Sequence, residues 1–322
     1  MNMTMIFNKT HIWMAVIAII AAAMIAAAAL GTCGCVQMES ESEGLKVAAD
    51  IMPLADFCRN VGGEAVEVEM LIPAGASPHT YELTSEKMKF LSEADVLVTS
   101  GLGLTPWVED LFDNLDNPEL ITVVAGEAVP SSELIEIREN GEEGHQDEHG
   151  VYDPHVWLDP NLAIFQVEAI RDAFIEADPG NQKRYKENTS KYIEELQGLD
   201  SDIIEEVSTF TEIKFVSFHP AWAYFAEQYG LEQIGVVEEL PGKEPGAGEI
   251  AELVELIKEE GVKVIFTEPQ FNPKAAETIA GETGAEVVLK NLHPVGDPDD
   301  PNKDTYIILM RFNIEVMGGV MK

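Results

Sequence analysis

Residues 181–208 carry a helical pattern without a break for 28 positions, in the middle of a 322-residue chain. At 1.5 Å per residue such a helix is about 42 Å long, enough to cross from one lobe to another as a stiff strut. What flanks it reads the same way on both sides. Before it, strands are expected over Leu45–Ala49, Ala65–Leu71, Asp95–Thr99 and Leu120–Val124. Helices fall between them at Pro53–Val61, Ser85–Ala94 and Pro106–Leu115. After it, strands are expected at Lys214–Phe218, Gln233–Val237, Val262–Phe266 and Glu286–Leu289. Helices alternate with them at Ala221–Tyr229, Gly248–Glu260 and Pro273–Thr283, with a closing helix at Thr305–Met317. Regular strand–helix alternation is the mark of a parallel sheet covered by helices. The expected fold class is therefore α/β, with two lobes, each a roughly four-stranded parallel sheet flanked by helices, joined by one long rigid helix. The boundaries read as an N-terminal lobe at 45–160, linking helices at 161–210 and a C-terminal lobe at 211–322.

The segment ahead of the first strand is of another kind. Ile12 to Leu30 is an unbroken apolar run of 19 residues, preceded by Lys9 and ending in Gly31-Thr32-Cys33-Gly34-Cys35. Residues 1–35 read as a secretory signal with a lipoprotein-type cleavage site, Cys33 or Cys35 taking the lipid, or as an uncleaved membrane anchor. Residues 36–44, rich in Ser and Glu, read as a flexible tether. Both readings put the rest of the chain on the extracytoplasmic face of the membrane. The third cysteine, Cys58, fits a core position, so the folded part has no disulfide framework and no cysteine zinc motif. The formal charge of −38 excludes nucleic-acid binding, which needs a basic face. It suits attraction of cations, although adaptation to a salty medium is the plainer reading.

Four of the seven histidines adjoin a proline, more than 17 prolines in 322 residues give by chance. They occur in Ser77-Pro78-His79, Asp153-Pro154-His155-Val156-Trp157-Leu158-Asp159-Pro160, Phe218-His219-Pro220 and Leu292-His293-Pro294. Proline stiffens the chain beside each imidazole, and a stiff loop suits a preorganised ligand. The separations are 76, 64 and 74 residues, so any common site is assembled by the fold from distant loops. His79, His219 and His293 each follow an expected strand, and parallel sheets bind ligands at their strands' carboxyl ends. Two lobes facing each other would gather these loops around one cleft. A further segment, 136–150, is acidic and glycine-rich and holds His145 and His149. It reads as a loop, either a weak auxiliary metal collector or a solvated insertion.

Three of these blocks, Gly75 to Glu82, Asp153 to Pro160 and Phe218 to Phe225, resemble the histidine blocks of the zinc/manganese solute-binding proteins of ABC importers. Phe266-Thr267-Glu268-Pro269-Gln270-Phe271 resembles a fourth block of that family, and the likeness runs in register from Leu45 to the C-terminus. The resemblance implies one metal in the cleft between the lobes, with His79, His155 and His219 as ligands. Where the family often has aspartate, this chain has His293, which the resemblance makes the first choice for a fourth ligand; Asp297, Glu268 or water are the alternatives. It also implies capture of Zn2+ outside the cell by a monomer, and delivery to an importer's permease and ATPase. The family's zinc-specific members carry a histidine loop where 136–150 stands.

Imidazoles without thiolates suit zinc. Manganese prefers oxygen, and the family's manganese binders use Glu in the third block where this chain has His219, so manganese is the alternative cargo. An enzyme is not expected. A zinc hydrolase would need a base beside the metal, and the sequence has neither a His-Glu-x-x-His helix nor a nucleophile elbow. An anchored adhesin with a structural metal is the other rival.

Overall fold

The structure, a computed structural model, describes residues 44–108, 115–137, 151–284, 286–288 and 292–322. The apolar run at 12–30, Cys33, Cys35, most of the helix expected at 106–115, and His145 and His149 lie outside them. Among the described residues no helix is long and apolar enough to cross a membrane.

The first sheet contains β1 (Leu45–Ala49), β2 (Val66–Met70), β3 (Val96–Thr99) and β4 (Ile121–Val124), in the order β2-β1-β3-β4, all parallel. β3 is buried throughout, as a central parallel strand covered on both faces must be. Between strands run α1 (Met52–Gly62), with Pro53 in its first turn, and α2 (Ser85–Ser92), capped by Thr84 Oγ1 accepting from Lys87 N. The second sheet repeats the plan. β5 (Lys214–Ser217), β6 (Glu232–Val236), β7 (Val264–Phe266) and β8 (Glu286–Val288) lie in the order β6-β5-β7-β8, again all parallel. Their helices are α5 (Ala223–Tyr229), α6 (Ala247–Glu260) and α7 (Lys274–Thr283).

Two helices connect the sheets. α3 (Pro160–Ala177) starts on a strong signal, because Asp159 caps it by accepting from Asn161 N at 2.8 Å and Pro160 opens its first turn. The strut is α4 (Gln182–Val207), 26 residues and about 39 Å long. Its buried residues are Tyr185, Thr189, Tyr192, Leu196, Leu199 and Ile203, alternately four and three apart, so one stripe is buried, with half-buried Asn188 and Asp200 beside it bonding to other elements.

α8 (Tyr306–Met321) follows the second sheet in sequence but packs on α4 and α1. The Tyr306 ring meets Phe57 of α1 edge-on at 4.9 Å. Its backbone N–H donates to Asp56 at 3.0 Å, and Tyr192 of the strut donates to the same carboxylate at 3.1 Å. The closing helix, counted with the C-terminal lobe from sequence, thus joins that lobe to the strut and to the N-terminal lobe. An amphipathic pattern reveals which face of a helix is apolar, not what will cover it.

Candidate metal centre

His79, His155 and His219 each offer a ring nitrogen, and these three atoms all lie within 4.8 Å of one another. Ring centroids stand 5.4 Å apart for His79 and His155, 5.9 Å for His79 and His219, and 5.2 Å for His155 and His219. His155 and His219 are buried and His79 half-buried. Each arrives on a different loop: His79 on the loop after β2, His155 between β4 and α3, and His219 between β5 and α5.

Two of the rings are held from behind. His155 Nδ1 lies 2.7 Å from Asp153 Oδ1, which also accepts from the His155 backbone N–H at 2.9 Å. His219 Nδ1 lies 2.8 Å from the carboxylate of Glu268, itself 2% exposed. A carboxylate on Nδ1 selects the tautomer that carries its proton there, which leaves Nε2 as a lone-pair donor and fixes the ring plane. Glu268 was an alternative fourth ligand from sequence; the structure puts it behind His219. Asp153 enters the sequence reading only as the first residue of the Asp153–Pro160 block. Its place two residues before a histidine was the available signal.

The loops that carry the histidines are cross-braced between lobes. Trp157, 5.4 Å from the His155 ring, donates through Nε1 to Pro294 O at 2.8 Å. Tyr306 donates its hydroxyl to Trp157 O at 2.6 Å, and Tyr224 of α5 donates to Asp153 O at 2.9 Å. Beside His79 the lobes meet at Gly242, whose φ of +87° is a glycine conformation. A Cβ there would stand 3.1 Å from Thr80 Cγ2.

His293 does not join the group. Asn313 grips its backbone in both directions, accepting from the N–H and donating to the carbonyl at 2.8 Å each, and the ring packs edge-on to Phe312 at 5.6 Å. Burial, helped by the Lys303 charge, pushes this imidazole down to about 4. Asp297 is turned to its own loop, accepting from Asp299 N at 3.0 Å. The turn that carries His293 borders the three histidines through Pro294 and Val295, but a sequence does not show which way the side chains of His293 and Asp297 face.

A compact group of three imidazoles, two of them buried and held in register by carboxylates, fits a borderline-soft divalent cation that accepts tetrahedral coordination. Comparison with known proteins agrees with that chemistry. Zinc-binding lipoprotein AdcA of Streptococcus pneumoniae is 33% identical over 294 residues, which cover 90% of this chain. The chain spans only 58% of that protein's length. Manganese-binding lipoprotein MntA of Halalkalibacterium halodurans is 30% identical over 277 residues, covering 85% of this chain and 88% of MntA. The crystal structure of ZnuA superposes with a TM-score of 0.74 at 30% identity, covering 87% of this chain and all of that one. The profile of a family of uptake components rather than enzymes matches residues 47–319, from β1 to the last turns of α8 and through all three histidine loops, and the chain belongs to that family, the zinc-uptake complex component A, periplasmic.

Proposed function

We propose that this protein captures zinc on the extracytoplasmic side of the membrane and delivers it to an ABC importer, a permease driven by an ATPase. His79, His155 and His219 hold the cation in this reading. The observation that carries it is the three ring nitrogens within 4.8 Å of one another, drawn from both lobes. A site shared between lobes suits a cargo that must be taken up and released. The relatives' names support the role: two are lipoproteins, one zinc-binding and one manganese-binding. Attachment through Cys33 or Cys35, and a monomer on the membrane surface, belong to the same proposal. Manganese is the second reading, favoured by the 30% identity to MntA. The nitrogen-rich ligand set weighs against it, since manganese prefers oxygen.

The test is a metal titration of chelator-stripped protein, followed by the fluorescence of Trp157 and Trp222 with zinc and manganese in competition. One tight zinc site in a protein that stays folded when stripped is the expected result. A preference for manganese would move the cargo to the second reading, and absence of any tight site would end the proposal. Chelator-induced unfolding would point to a structural metal instead.

A further inference from the structure

We infer that the fourth corner of the site is the side-chain carbonyl of Gln270, an inference that rests on the metal-binding reading above. The three histidines border a cavity of about 10 Å³ that is also lined by Ser77, Gln270 and Phe271. That is room for one water-sized body. Gln270 Oε1 is buried and has no hydrogen-bond partner among the described residues. A buried amide carbonyl left unpaired is costly and needs an explanation. A cation in the cavity beside it supplies one.

The chain on either side of Gln270 is pinned to His219. Two residues earlier, Glu268 holds the imidazole at 2.8 Å. One residue later, Phe271 stacks on Phe218 at 5.0 Å with planes 10° apart and lies 5.2 Å from the His219 ring. The Phe271 backbone N–H closes the turn onto Glu268 O at 3.3 Å. Gln270 is therefore placed by the same contacts that place a ligand histidine. The rival groups are committed elsewhere: Asp153 and Glu268 to imidazoles, Asp297 to its own turn, His293 to Phe312. Ser77 also lines the cavity, and its Oγ is buried without a partner among the described residues, but a neutral hydroxyl is a weaker ligand than an amide carbonyl. An amide at this corner, in place of the imidazole of His293, gives an uncharged ligand set of three nitrogens and one oxygen. That set keeps zinc and penalises manganese, which favours charged oxygen.

The experiment compares wild type with Gln270→Leu, Gln270→Glu, Ser77→Ala and His155→Ala. Each is stripped, checked for folding by near-UV circular dichroism, and titrated with zinc and manganese; cobalt(II) absorption then reports the ligand set. Gln270→Leu should weaken zinc roughly 10- to 100-fold, the range for losing a supporting metal contact, and alter the cobalt spectrum. Gln270→Glu should keep zinc and raise manganese affinity relative to zinc by about tenfold or more. Ser77→Ala should change neither. If Gln270→Leu binds zinc within twofold of wild type with an unchanged cobalt spectrum, Gln270 is not a ligand. A loss seen in Ser77→Ala instead would transfer the role to Ser77 and overturn the inference equally. Failure of the underlying reading looks different: His155→Ala would then bind zinc as wild type does.

Discussion

The two sheets share one strand order and run parallel throughout, yet the ends of their central strands do different work. In the first lobe β1 runs into Asp50 and β3 into Ser100. Asp50 is fully buried and accepts from Ile51 N and Ser100 N at 2.7 Å each, from Thr99 Oγ1 at 3.1 Å and from Ser100 Oγ at 3.2 Å. In the second lobe the corresponding strands, β5 and β7, run into His219 and Glu268, which pair at 2.8 Å. The first arrangement is closed, with the carboxylate surrounded by its own lobe's donors. The second leaves one imidazole nitrogen facing the cleft. The first lobe instead sends its histidines in from the outer strands, His79 after β2 and His155 after β4. One frame therefore ties a structural knot in one half and presents a candidate ligand in the other, so the candidate site belongs to the loops and not to the fold.

The largest test of that contrast sets His219→Ala against Asp50→Ala. Removing His219 should weaken zinc by about a thousandfold, on the order of 4 kcal/mol, with little change in the melting temperature of the stripped protein. Removing the Asp50 carboxylate leaves buried N–H and O–H donors without an acceptor. It should cost about 2–4 kcal/mol of stability while the molecules that remain folded bind zinc normally. Equal loss of zinc affinity in both variants, measured by competition with a chelator, would dissolve the distinction.

A smaller effect concerns the carboxylates behind the rings. Glu268→Ala and Asp153→Ala should each weaken zinc roughly 10- to 100-fold, and Glu268→Gln should recover part of the loss because its amide oxygen can still accept from Nδ1–H. A packing role alone would leave the spectrum of bound cobalt(II) unchanged in Glu268→Gln. A shifted spectrum there would show that Glu268 acts on the metal through His219.

The sequence made the strut, the two α/β lobes and the three histidine loops readable, because each leaves a local trace. Helical spacing persists from 181 to 208, strands alternate with helices, and prolines stiffen the chain beside the imidazoles. What stayed hidden depends on direction. His293 sits beside Pro294 like the others, but Asn313 holds its backbone and the ring meets Phe312. Glu268 was visible as a carboxylate near the cleft, yet only tertiary geometry separates a metal ligand from a group that orients one. Gln270 stood in the fourth block, but nothing in the sequence sets its amide apart from the neighbouring residues. The docking of α8 on α1 could not be read because it joins Tyr306 to Asp56 and Phe57 across some 250 residues.

The smallest prediction turns on acid, to which the two lobes should respond with opposite sign. Burial raises the Asp50 carboxyl from 3.8 to about 6, against the lowering effect of its hydrogen bonds. In the unfolded chain the group keeps its ordinary value, so between pH 3.8 and about 6 the native state holds this proton more tightly. The stability it contributes is therefore complete below that window and is lost as pH rises through it. A shift of about two units is worth at most about 3 kcal/mol. Thermal melts of stripped wild type and Asp50→Asn, at pH 7 and pH 5, isolate this group from the other buried carboxylates. Wild type should gain on the variant at the lower pH. Zinc affinity should instead fall on acidification, because protons compete with the cation for imidazole nitrogens. Parallel melting curves for the two proteins would mean that the donors of Ile51, Thr99 and Ser100 offset the cost of burial fully. The knot in the first lobe would then be as indifferent to acid as an apolar core, and only the metal-facing lobe would respond to pH.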